Sequence, residues 1–163
     1  MKYRIIKWNR ERNLLDNFNP NLEAKMLSEE AREFFFASEV EHMLQEAADF
    51  IFVKTGTVAK YFAQESEGVQ KLLTDYDHFK QLSDWMESMI DCMVEILESK
   101  YVECNLPIHF VTSDLSFALR FVCEANEAKG KEKVDGKVVK GDTYVSPIKR
   151  IKKYLEDEYG YRG

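Results

Sequence analysis

Glycine and proline are scarce in this chain, 7 and 3 of 163 residues, which disfavours a loop-rich or all-β fold. The three cysteines, Cys92, Cys104 and Cys123, are odd in number, scattered and without CxxC spacing. They argue against a disulfide framework or a zinc site and for a reducing, cytoplasmic setting. Positive charge is not in excess. The formal net charge is −6, which argues against general binding to nucleic acid or anionic membrane. The opening Met1-Lys2-Tyr3-Arg4-Ile5-Ile6-Lys7 is not followed by a long apolar run. Neither a signal peptide nor a membrane span of about 20 apolar residues is expected.

What remains is ample material for a core, 45% hydrophobic and 13% aromatic residues. The length suits one domain, 1–163. Residues 1–20 read as an extended lead-in or a short helix, broken near Asn19-Pro20. A helix is expected from about Asn21 to Ala37. A second, capped by Ser38, runs to about Lys54, with a kink at Thr55-Gly56-Thr57 and a continuation to Gln64. Glu65 to Asp75 reads as a polar connection with a short helix. From Asp77 to about Val102, Phe79, Leu82, Met86, Met89, Ile90, Met93, Ile96 and Leu97 recur at three and four, the period of a long helix. Asn105-Leu106-Pro107 ends it. Another helix, capped by Ser113 or Asp114, is expected to end near Ala128. Val134-Asp135-Gly136-Lys137-Val138 signals a short hairpin, and a last helix starts at Pro147 behind Ser146 and ends near Asp157. The fold class expected is all-α, a helical bundle with a small hairpin flap before the last helix.

Acids are abundant, but two groups stand apart. Glu30 and Glu33, and Glu46 and Asp49, are each three residues apart and share a helix face. In the first helix Leu27, Ala31, Phe34 and Phe35 form the apolar arc, and Met26, Glu30, Glu33 and Ala37 the stripe beside it. In the second, Val40, Met43, Leu44, Ala47, Phe50 and Ile51 form the arc, and His42, Glu46, Asp49 and Val53 the adjoining stripe. No Lys or Arg lies one turn away in either stripe. If the helices pack side by side, four carboxylates converge and repel one another unless a cation sits between them. An all-oxygen donor set suits a hard divalent ion such as Mg²⁺, with Mn²⁺ able to substitute. His42, one turn before Glu46, either orients a carboxylate, contacts a ligand or is structural. The acids Asp84, Glu87, Asp91, Glu95 and Glu98 read as a solvated stripe of the long helix.

Glu-Glu-x-x-Glu followed after twelve residues by Glu-x-x-Asp resembles the motif of the all-α nucleotide pyrophosphohydrolases, the superfamily of MazG proteins and dimeric dUTPases. Met26-Leu27-Ser28-Glu29-Glu30-Ala31-Arg32-Glu33-Phe34 resembles the first motif helix of phage-type MazG-like proteins. Ala125-Asn126-Glu127-Ala128-Lys129 is similar to their Asn-x-x-Lys segment. Asp135-Gly136-Lys137-Val138-Val139-Lys140-Gly141 with Tyr144 and Pro147 resembles their C-terminal Lys-Gly-x-x-Tyr region. The resemblance touches about residues 8–54 and 122–155, and 60–120 carries no matching motif.

That resemblance implies a Mg²⁺-dependent enzyme cleaving a nucleoside triphosphate, NTP or dNTP, between its α- and β-phosphates. It implies metal ligation by Glu30, Glu33, Glu46 and Asp49. Glu29 fills the motif's first acid and would hold or activate water, and Glu46 is the second candidate for catalysis. Asn126, Lys129, Lys140, Tyr144 and Lys54 are the candidates for binding substrate. The lysine-rich stretch 129–140 would supply the cations that a triphosphate needs beside an acidic cage. Trp8 and Arg12 either pack the core or reach a base or a neighbouring subunit. The competing readings are a non-catalytic helical module binding nucleotide or protein, and hydrolysis of ppGpp or phosphoribosyl-ATP. The apolar faces of the helices predict a homodimer or homotetramer with the 77–102 helix at an interface.

Overall fold

The computed structural model describes residues 1–16, 18–64 and 69–163, with side chains described outside 69–75. Six α-helices are present among them: α1 (Lys2–Glu11), α2 (Pro20–Phe36), α3 (Val40–Ala63), α4 (Val69–Glu103), α5 (Val111–Glu127) and α6 (Ile148–Tyr159). A 3₁₀ turn, Ile108–Phe110, links α4 to α5. The all-α bundle is as expected, and so is the hairpin. Strands β1 (Lys133–Val134) and β2 (Lys137–Val138) pair antiparallel ahead of α6. Asp135 (φ 52°) and Gly136 (φ 79°) form its two-residue turn, and positive φ at both positions is the geometry that follows strand twist.

Helix α3 is the axis of the bundle and packs against the other five helices. Its sequence explains this position. Val40, Met43, Leu44, Ala47, Ala48, Phe50, Phe52 and Tyr61 are all buried and point in several directions around the helix, the pattern of a segment covered on all sides. Leu27, Ala31 and Phe34 of α2 face it, as do Met86, Met93 and Leu97 of α4, Val122 of α5 and Leu155 of α6, all members of one core. Phe35, expected in the apolar arc of α2, is instead exposed. The acids Asp84, Glu87, Asp91, Glu95 and Glu98 of α4 face solvent as expected.

Several expected boundaries move. Asn19-Pro20 starts α2 rather than breaking the chain. The Asn19 side chain accepts from the backbone N–H groups of Asn21 and Leu22 at 3.1 and 3.2 Å, and Pro20 occupies the first turn, where its missing N–H costs nothing. Ser38 does not cap α3, which begins at Val40 behind Glu39. Gly56 does not interrupt α3. The helix continues to Ala63, and the bare Gly56 Cα admits the Asn9 side chain of α1: a Cβ there would lie 3.0 Å from Asn9 Nδ2. The polar connection expected over 65–75 is helical from Val69 on, and residues 65–68 lie outside the described residues. Neither Ser113 nor Asp114 caps α5, which begins at Val111. Asp114 turns inward instead, accepting from the hydroxyls of Tyr101, Tyr154 and Tyr159 at 2.8, 2.7 and 2.9 Å. Among the described residues no helix is long and apolar enough to cross a membrane.

Candidate metal centre and the adjoining cavity

Helices α2 and α3 lie against each other, so the stripes beside their apolar arcs meet along one seam. One oxygen from each of Glu30, Glu33 and Glu46 lies within 4.8 Å of the other two. Asp49, one turn beyond Glu46, stands outside that group but lines the same cavity, of about 430 Å³. Arg32, Phe36, His42 and Gln45 contribute to its rim. The remaining wall comes from the flap: Lys129, Lys137, Lys140 and Tyr144.

The electrostatics of the seam are those of crowded acids short of cation. Burial pushes Glu30 up to about 8, and the charges of Asp49 and Glu33 add to it. Glu46 also rises to about 8, through burial, repulsion by Glu33 and Glu30, and a hydrogen bond to Glu33. Burial and Glu46 raise Asp49 to about 7. The flap lysines offset part of this repulsion. Lys129 and Lys140 lower Asp49, and Lys140 lowers Glu46. Lys129 is itself drawn down to about 8 by burial.

Supporting contacts fix these side chains. The amide of Gln45 donates to Glu46 Oε1 at 3.3 Å, while its own oxygen accepts from the Ser146 hydroxyl at 2.8 Å. His42 Nε2 lies 3.4 Å from the same Glu46 oxygen. The ammonium groups of Lys129 and Lys140 stand 5.2 and 4.9 Å from the centre of the Tyr144 ring, so this ring spaces the two cations. Arg12 anchors the flap's root, donating to the carbonyls of Lys129 and Gly130 at 2.5 and 3.1 Å.

Two expected site residues lie elsewhere. Glu29 is not among the converging carboxylates; it pairs with Lys137 at 2.9 Å, and that bond lowers its pKa. Lys54 is directed away from the seam. It pairs with Glu87 of α4 and lines a separate cavity between α1, α3 and α4. Asn126 is buried, and its amide donates to the Val122 carbonyl at 3.0 Å.

A second cavity, about 90 Å³, adjoins the first. The two share Glu30, Asp49, Lys129 and Lys137. Its walls are largely apolar: Trp8 and Leu14, Met26 of α2, Phe52 and Val53 of α3, and Val138 of the flap. Asn9, Gly56, Lys60, Asn126 and Gly136 complete it. Sequence reasoning singled out neither Asn9 nor Gln45. The signal for Asn9 was available, since Ile5, Trp8, Asn9 and Arg12 recur at i, i+3, i+4 and i+7 and all four are buried. Lys60 is engaged with the fully buried Glu23 at 2.6 Å, and Thr57 donates to the same carboxylate.

No protein-family model matches the chain, and neither the curated proteins nor the solved structures provide a match.

Proposed function

We propose that this protein hydrolyses a nucleoside triphosphate between its α- and β-phosphates, releasing a nucleoside monophosphate and pyrophosphate. The observation that carries the reading is the approach of Glu30, Glu33 and Glu46 within 4.8 Å, in a cavity whose opposite wall is lysine. The donor set fits a hard divalent ion, because each of these ligand atoms is a carboxylate oxygen. Without one, burial and mutual repulsion leave Glu30 and Glu46 holding protons to about pH 8. Glu30, Glu33 and Glu46 would hold Mg²⁺, or Mn²⁺ in its place, with Asp49 as a fourth carboxylate beside them. A bound ion of this kind neutralises phosphate oxygens and makes water a better nucleophile.

The chain's own residues do the rest. Lys129 and Lys140 receive the distal phosphates, held apart by Tyr144. A phosphate anion beside Lys129 restores the charge that burial weakens. Gln45, tied to Ser146, holds the Glu46 carboxylate in one orientation. The flap, fastened by Arg12 at its root and by Lys137 at its tip, covers the triphosphate and limits bulk water. Water's oxygen ends on the α-phosphorus, the α–β bridging oxygen leaves with pyrophosphate, and a cage carboxylate takes the proton. Phosphorus NMR in ¹⁸O-labelled water tests this reaction. Label in the monophosphate and none in pyrophosphate is the expected result. Release of inorganic phosphate and a diphosphate would overturn it, and label in pyrophosphate would move the attack to the β-phosphorus.

The proposal extends to a cytoplasmic homodimer or homotetramer. The support for self-association is the exposure of Phe35 and Phe36, neighbours on α2, together with Phe62 and Phe117, large apolar side chains that a second copy would cover.

A further inference from the structure

Helix α1 carries four cations, and it leaves two of them without an anion. Arg4 pairs with Glu127 at 2.7 Å and Lys7 with Glu11 at 3.7 Å. Neither the Lys2 nor the Arg10 side chain has an ion-pair or hydrogen-bond partner among the described residues. Lys2, Ile6 and Arg10 follow one another at four-residue spacing, so they form one stripe of the helix. That stripe lines the cavity between α1, α3 and α4, about 830 Å³. This cavity shares no lining residue with the two at the acidic seam. Val58 of α3 and Phe79 of α4 add to its apolar lining. Lys54, its third cation, is neutralised by Glu87. The cavity thus holds two unmatched positive charges on a chain whose net charge is −6. Ile6, between those charges, is half-buried yet stands outside the hydrophobic core.

The spacing of the charges selects the occupant. Lys2 and Arg10 are eight residues apart, a rise of about 12 Å along the helix. A single anionic head would meet both only by drawing two like charges together. Two carboxylates, two helical turns apart, meet each cation where it stands. No strand contributes to the lining, so an extended chain finds no edge to pair with, whereas a helix satisfies its own backbone hydrogen bonds. We propose that this cavity is a docking groove for an acidic amphipathic helix of a partner protein. The apolar stripe of that helix rests on Ile6, Val58 and Phe79, and its acids pair with Lys2 and Arg10. Apolar contact supplies the affinity, and the two charges select the partner and its register.

The proposal stands apart from the hydrolase reading, because docking needs neither metal ion nor turnover. Fluorescence anisotropy of the full chain with a labelled synthetic helix tests it. The probe carries Leu at i, i+3, i+4 and i+7, with Glu two turns apart beside that stripe. A control probe carries Lys in place of Glu. The acidic probe should bind about tenfold more tightly than the control and weaken as salt is raised. Lys2→Glu combined with Arg10→Glu should weaken the acidic probe by about tenfold or more and strengthen the control. Ile6→Ala should weaken both probes several-fold. Circular dichroism of these variants should match the parent, since all three side chains lie outside the core. No binding of the acidic probe, equal binding of the two probes, or affinities untouched by the substitutions would overturn the proposal. Two further results would assign the groove to another occupant and overturn it as well. One is a parent that sediments as an oligomer and is split into monomers by the double substitution, which gives the groove to a second copy. The other is dodecanoate binding more tightly than the probe, which gives it to a single-headed amphiphile.

Discussion

The Lys137 ammonium lies 2.9 Å from the Glu29 carboxylate, joining the tip of the flap to α2 one residue before Glu30. The helix that carries half of the acidic seam thus also holds the cationic loop over it. Both partners are substantially exposed, so the pair itself contributes only about 0.2–1 kcal/mol. Its effect should appear in substrate capture. Glu29→Ala and Lys137→Ala should each raise KM for triphosphate, and the double variant should be little worse than either alone. Additive losses in a double-mutant cycle would mean that the two side chains act separately.

Gln45 acts through Glu46. Replacing it with Ala removes the link between Ser146 and the carboxylate. Loss of such a supporting contact typically weakens metal affinity by about 10–100-fold. Calorimetric titration of Mn²⁺ into Gln45→Ala should report a weakening of that order. Unchanged affinity would assign Gln45 a packing role only.

The acidic seam gives the ion-free protein a characteristic pH response. When folded, Glu30 and Glu46 keep protons to about pH 8 and Asp49 to about 7. In the unfolded chain the same carboxyls ionise near about pH 4. Between these limits the folded state binds more protons, so stability falls as pH rises. Chelator-treated protein should be less stable at about pH 8 than at about pH 5, by an amount on the order of 1–4 kcal/mol because the three titrate together. Mg²⁺ should restore the loss at the higher pH. Urea denaturation at both values, with and without the ion, measures each part. Stability that rises with pH in chelator would contradict the crowding of these acids.

Gly56 lets α1 approach α3. A methyl group there would stand 3.0 Å from Asn9 Nδ2 and 3.3 Å from its Oδ1. Within a helix, Ala is intrinsically better than Gly by about 0.5–1 kcal/mol, so Gly56→Ala should remain folded. It should nevertheless push the Asn9 amide aside, so the rise in melting temperature should fall short of that helical preference. Thermal unfolding measures it; a rise by the full amount would mean that the Asn9 side chain yields without cost.

Asp114 lies outside the seam and should affect only stability. Its carboxylate receives three tyrosine hydroxyls from α4 and α6, and hydrogen bonds to a buried charge are strong. Asp114→Asn should cost about 2–4 kcal/mol in urea unfolding, with kcat unchanged in the fraction that remains folded.

How much of this was legible in the chain depends on the distance over which each feature is encoded. Glu30, Glu33 and Glu46 were readable because a helical period is local: three residues of spacing fix a face, and apolar neighbours fix its tilt toward the core. The hairpin was readable from Asp135-Gly136 for the same reason. Glu29 and Lys54 shared the local pattern but found partners, Lys137 and Glu87, on segments distant in sequence. Asp114 resembled a helix cap because its neighbours are polar, and only the arrival of three tyrosines turns it inward. Asn9 and Asn126 line one cavity through the packing of α1, α3 and α5. No spacing rule joins residues 9 and 126.

The most direct measurement is pyrophosphate release by the folded protein from a panel of NTPs and dNTPs in Mg²⁺, repeated with excess chelator and with Glu46→Ala. Release from at least one triphosphate is predicted, abolished by the chelator and by the substitution while circular dichroism stays that of the parent. No release from any member with either Mg²⁺ or Mn²⁺, or release that survives both the chelator and Glu46→Ala, would contradict the account.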